Sequence, residues 1–111
     1  VKRMAYTGAD FEFWVGEDIS MSLTCLQSDG TPFDLTGYTA AGVIKTNPTA
    51  AVALDLAPTI PTPANGVVVV SVNTADVAAG IYGWDIQITE GSNAPIVIGY
   101  GTTKLRKKNT P

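Results

Sequence analysis

The sequence predicts an all-β fold, an antiparallel β-sandwich of about seven strands with at most one short helical turn. Three observations carry this. Apolar and polar residues alternate with period two in several stretches, Gly, Pro, Asn and Asp recur between them, and no long segment has helical periodicity. A small closed barrel is the other architecture compatible with such a strand count.

The clearest strand is Ile19-Ser20-Met21-Ser22-Leu23-Thr24-Cys25, with Ile19, Met21, Leu23 and Cys25 expected to point inward. Phe11 to Val15 alternates before it, and Gly16-Glu17-Asp18 separates the two. Gln27 to Pro32 reads as a turn, because Asp29-Gly30 supplies the positive φ that tight reversals need. Thr39 to Lys45 is the third strand, and its small residues Ala40, Ala41 and Gly42 allow close approach of another layer. Val52 to Ala57 is a weaker strand stopped by Pro58, and Pro58, Pro61 and Pro63 make the following segment an extended edge or loop. Asn65-Gly66 turns the chain into Val67 to Val72, the most β-prone run. Thr74 to Gly80 has a capping-type start and a terminal Gly, which predicts the one helical turn. Ile81 to Thr89 alternates with Tyr82, Trp84, Ile86 and Ile88 inward, and Pro95 to Thr103 is the last strand.

At 111 residues the chain is expected to be one domain, residues 1–111, with basic arms at about 1–8 and 104–111. Six of its seven basic residues lie at the ends, as Lys2, Arg3, Lys104, Arg106, Lys107 and Lys108. Between Met4 and Thr103, Lys45 stands alone against ten carboxylates, a net charge of −9. Such arms either reach onto a neighbouring acidic surface or stay solvated. An acidic body and tails without interleaved aromatics argue against nucleic acid as a partner. No apolar run approaches the roughly 20 residues of a membrane span, and no apolar block follows Lys2-Arg3, so neither a membrane partner nor a secretory signal is expected. The single cysteine, Cys25, has no internal disulfide partner, which suits a reducing cytoplasm.

The chain has no histidine, the commonest general base and a frequent zinc ligand. Cys25 lies in an inward register, where a cysteine behaves as a small core hydrophobe. Glu17-Asp18 and Asp29 with Asp34 are the candidate acid pairs, but the loops lack calcium-site spacing and Asp29-Gly30 is explained as a turn. No phosphate-cradling glycine motif occurs. The expectation is therefore a protein that is not an enzyme and uses no cofactor or metal.

The aromatics point to contacts. Trp14 falls on the register opposite Phe11 and Phe13 and is expected to face outward. There it is a contact point for a protein partner, a stacking platform for sugar, or a ring covered by the N-terminal arm or a loop. Tyr38 is also expected to be exposed. With Lys104, Arg106, Lys107 and Lys108, these two are the candidate interaction residues.

Three ordered stretches carry a resemblance. They are Phe13 to Leu26 followed by Ser28 to Thr39, then Gly66 to Val72 followed by Ala75-Asp76, then Gly80 to Ile86 with the later Gly99. Together they resemble the small immunoglobulin-like domains of tailed bacteriophages, including the N-terminal domain of baseplate upper proteins and short stand-alone virion proteins. The resemblance spans nearly the whole chain and implies an immunoglobulin-like sandwich. Gly80-x-Tyr82-x-Trp84 is similar to the tyrosine corner of such sandwiches, which would put Trp84 in the place of the second core cysteine and leave Cys25 unpaired. The implied role is structural, attaching one virion component to another in many copies after synthesis in the host cytoplasm. Because the sequence ends at Pro111 with no further domain, a tail or baseplate adaptor or a capsid decoration protein is expected rather than a receptor binder. A carbohydrate-binding or host-adhesion module is the alternative.

Overall fold

The computed structural model describes residues 7–8 and 11–107, with side chains from Glu12 onward. The strands are β1 (Thr7–Gly8), β2 (Phe11–Trp14), β3 (Asp18–Thr24), β4 (Tyr38–Lys45), β5 (Leu54–Asp55), β6 (Val67–Asn73), β7 (Gly80–Glu90) and β8 (Ile96–Arg106). They form two sheets. The larger runs β1-β8-β7-β4-β5, with β2 also paired to β8, and the smaller is the antiparallel pair β3-β6. Thr59, in the proline-rich segment, extends the smaller sheet by bridging Val69.

The core lies between the sheets, and period-two alternation builds it. Ile19, Leu23 and Cys25 point in from one side with Val68 and Val70, while Tyr82, Trp84, Ile86 and Ile88 point in from the other. Trp84 needs space that its neighbours give up. A methyl group on Gly99 would fall 2.9 Å from Leu23 Cδ1 of the facing sheet and 3.1 Å from Trp84 Cζ3, so any side chain there would have to displace Leu23 and the indole. The Tyr82 hydroxyl donates a 2.6 Å hydrogen bond to the Ala78 carbonyl and ties the connection before β7 to its own strand. This is the tyrosine-corner geometry, with Trp84 two residues on in the core.

Three local expectations are corrected, and strand β2 does not join the neighbour that follows it in sequence. It lies parallel to β8, Phe11 opposite Thr103 through Trp14 opposite Arg106, and the chain then crosses to the other sheet for β3. The helical turn expected at 74–80 does not form, because the Thr74 hydroxyl is engaged across the sandwich instead of capping a helix. It accepts from Gly16 N–H at 3.0 Å and donates to the Glu17 carbonyl at 2.7 Å. What remains there is a tight turn closed by Val77 N–H on the Thr74 carbonyl. Among the described residues the one helical segment is a 3-10 turn at Pro63–Asn65, which Pro63 starts with its preset φ. The strand expected over 52–57 contracts to Leu54–Asp55, and the last strand runs on to Arg106, so Lys104 and Arg106 belong to a sheet rather than to an arm. The remaining arm residues 1–6 and 108–111, and the side chain of Phe11, lie outside the described residues.

Two stability predictions follow from buried hydroxyls. Thr74 is fully buried with both bonds made, so Thr74→Val should lower unfolding free energy by about 2 kcal/mol in a urea titration. Thr103 is buried in β8 with no partner for its Oγ1 among the described residues, and the gap beside it, lined by Phe13, Ile19 and Met21, is too tight for a water. Thr103→Val keeps the shape and removes the unpaired hydroxyl, and should raise stability by about 1 kcal/mol in the same titration.

Candidate interaction surface

The outer face of the larger sheet carries most of the large exposed hydrophobic residues among those described. Of the five large hydrophobic residues exposed among the described residues, Trp14, Ile81, Val97 and Tyr100 project from this face. Their placement follows from the strand registers. In successive rows, Trp14 pairs with Arg106, Glu12 with Lys104 and Lys104 with Ile81, and further along Tyr100 pairs with Asp85 and Asp85 with Val43.

Trp14 does face outward, at 43% exposure. The Arg106 guanidinium stacks over its ring at 5.5 Å from the centroid, and the same group holds Glu12 Oε1 at 2.7 Å. Cation–π attraction and a charge-assisted hydrogen bond together fix Arg106 on the ring. The Trp14 backbone N–H donates to Glu17 Oε1 at 2.7 Å, which anchors the end of β2. Ile81 is the most exposed of these residues, at 64%, and stands across β8 from the Trp14 side of the sheet. Lys107 is exposed just past the strand, and Lys108 lies outside the described residues. So the structure brings Trp14, Lys104 and Arg106 together on one surface.

Tyr38 does not join them, and the expectation that it is exposed is corrected. It is half-buried, at the other end of β4, with its ring edge-on to Phe33 at 5.7 Å and 78°. Desolvation, with the nearby Glu90 carboxylate, pushes its phenol pKa up. Ile81, Val97 and Tyr100 went unrecognised in the sequence. Ile81 carried a legible signal, since it alternates out of phase with Tyr82 and Trp84. Tyr100 carried none, because a bulge in β8 sets its direction. Gly99 pairs with Ile86 and Val97 with Gln87, so Ile98 is the extra residue, and everything after it is turned over relative to a simple count from Ile96.

Of the acidic candidates, Asp29 and Asp34 close turns, while Asp18 accepts from Asn73 across the smaller sheet. Asp29 Oδ1 accepts from the Thr31 amide at 3.0 Å and hydroxyl at 2.6 Å, and Asp34 Oδ1 does the same with Thr36 at 2.9 and 2.6 Å. The Thr31 bonds hold the Asp29 carboxyl below its ordinary pKa.

A groove of about 600 Å³ opens on the outer face beside this surface. Its floor is low because Gly83, on β7, carries no side chain between Lys45 on β4 and Thr102 on β8. Asp85, two residues along, stands between Val43 and Tyr100, and Asn47 and Pro48 form one wall.

No protein-family model matches the chain, and no curated protein matches it. Solved structures do. CopC from Methylosinus trichosporium OB3b superposes with a TM-score of 0.53 at 8% identity, covering 96% of this chain and 89% of that one. The Lin-41 filamin domain gives 0.48 at 16% identity over 86% of this chain and 82% of its own. A family 123 glycoside hydrolase from Clostridium perfringens gives 0.44 at 11%, covering 95% of this chain and 24% of the enzyme. At such identities a likeness speaks to fold alone. With its two sheets and tyrosine corner, the chain is an all-β immunoglobulin-like sandwich.

Cys25 is buried at 1% exposure, and desolvation pushes its thiol pKa up. The protonated thiol is a poor nucleophile. An aromatic disulfide reagent at neutral pH should therefore leave the folded protein unlabelled for hours and label it within minutes in denaturant, followed by absorbance.

Proposed function

We propose that this chain is a non-enzymatic attachment module of a tailed-phage virion, built into the particle in many copies after synthesis in the host cytoplasm. Its partners are other virion structural proteins, with no nucleic acid or membrane involved, and its place is a tail or baseplate accessory or a capsid decoration position. The observation that carries attachment is the surface formed by Trp14, Arg106 and Ile81. It is exposed, it joins an aromatic ring and an aliphatic side chain to a guanidinium already held in place, and it is framed by Glu12 and Lys104. Trp and Arg are the residues most often found at the energetic centre of protein interfaces, and an Arg fixed in advance loses little entropy on docking. The virion setting is supported by the ordered sequence resemblance.

A saccharide platform at Trp14 is the weaker reading, because the Arg106 guanidinium occupies a face of the ring that a sugar would stack on.

Gradient-purified particles test the proposal. The protein should co-purify at a fixed copy number, and Trp14→Ala combined with Ile81→Ser should lower that number at least about tenfold while leaving the fold intact by circular dichroism. Absence of the wild-type protein from particles, or full incorporation of the double variant, would overturn it.

A further inference from the structure

We propose that the groove around Gly83 is a binding site for a neutral saccharide, with Tyr100 as its stacking platform. The site is separate from the Trp14 surface and does not depend on the attachment role.

The geometry is set by cross-strand pairing. Lys45, Gly83 and Thr102 form one row across β4, β7 and β8, and Val43, Asp85 and Tyr100 form the next on the same face. The notch at Gly83 makes a flat sheet face concave, and its volume of about 600 Å³ lies within the usual range for small-molecule sites. Tyr100 is 53% exposed, so the ring offers an open apolar face at the rim of that notch. An aromatic ring beside polar groups is complementary to a pyranose, whose axial C–H face is apolar and whose edge is lined with hydroxyls.

Charge then narrows the ligand class. Within the groove Lys45 supplies a positive charge and Asp85 a negative one, and Arg106–Glu12 is the one ion pair among the described residues, so these two are not paired with each other. A cationic ligand is attracted by Asp85 and repelled by Lys45, and an anionic one the reverse, so a single net charge gains little in this groove. A polyol meets neither penalty, because its hydroxyls donate to Asp85 and accept from Lys45. Asn47 adds a directed donor. Its Oδ1 is taken by the Thr49 amide and hydroxyl, at 3.0 and 2.8 Å, which fixes the amide plane and leaves Nδ2 without a partner among the described residues.

Extended peptides are less suited. The backbone groups of β4, β7 and β8 are engaged in ladders with each other beneath the groove, so it presents no strand edge for main-chain pairing.

Amide chemical-shift titration of the intact protein tests the assignment. The probes are neutral tetrasaccharides of glucose, galactose or N-acetylglucosamine at about 10 mM, enough to populate a site with a Kd of about 1 mM. At least one should shift the amides of Gly83, Asp85 and Tyr100. Tyr100→Ala should weaken that binding about tenfold, Tyr100→Phe should retain it, and Asp85→Asn should weaken it several-fold. Tyr100 is exposed, so these variants should keep the wild-type spectrum elsewhere. No shift with any of the saccharides, shifts that persist unchanged in Tyr100→Ala, or shifts produced by a lysine-rich peptide but by no saccharide would each overturn the assignment. Particle incorporation is read independently, so failure here leaves the attachment surface standing.

Discussion

Between Trp14 and Asp18 the chain leaves the larger sheet and enters the smaller one, and the buried Thr74 hydroxyl fixes where it crosses. Gly16 N–H and the Glu17 carbonyl both bond to that oxygen, and Thr74 N–H bonds the Glu17 carbonyl as well. Asn73 adds a second clamp through Nδ2, to the Gly16 carbonyl at 3.0 Å and to Asp18 Oδ1 at 2.8 Å. The crossing has few residues in which to satisfy its own backbone groups, so it borrows partners from the end of β6. With the crossing held there, β2 lies along β8 and β3 lies along β6, and the two sheets face each other in a single register.

That constraint reaches the candidate interaction surface. Parallel pairing with β8 is what sets Trp14 opposite Arg106 and Glu12 opposite Lys104. A β2 strand folded back on β3 would carry Trp14 to the other sheet, away from Arg106. The Trp14–Arg106–Glu12 cluster is therefore a product of topology. Arg106 does not need a neighbour in sequence, since its partners lie 92 and 94 positions away along the chain.

A second decision is made in β8. One extra residue, Ile98, lets both Ile98 and Gly99 face the core, then sends Tyr100 and Thr102 outward and Thr103 and Leu105 inward. The bulge thus places a glycine beside Trp84 and an aromatic ring at the groove rim in consecutive residues. Thr103 is a consequence of the same step, because its hydroxyl is turned into an apolar region with no partner among the described residues.

Much of the sandwich was legible locally. Alternation alone identified Ile19, Leu23, Cys25, Tyr82, Trp84, Ile86 and Ile88 as core, because period two is intrinsic to a strand with one buried face, whereas the unbroken valine run at 67–70 did not say that Val68 and Val70 are the inward pair. Asp29-Gly30 marked its turn, with Gly30 at φ 88°, since positive φ is a property of the residue itself. The site was legible only in part. Trp14 was recognised as outward-facing from parity within its own strand, and Tyr38 was misjudged because its cover, Phe33, arrives from a different segment. Which strand β2 pairs with, how the Thr74 hydroxyl is used, and which way Tyr100 points were decided only in three dimensions. Each depends on a partner distant in sequence or on a bulge that leaves no mark in composition, and local propensity carries no information about either.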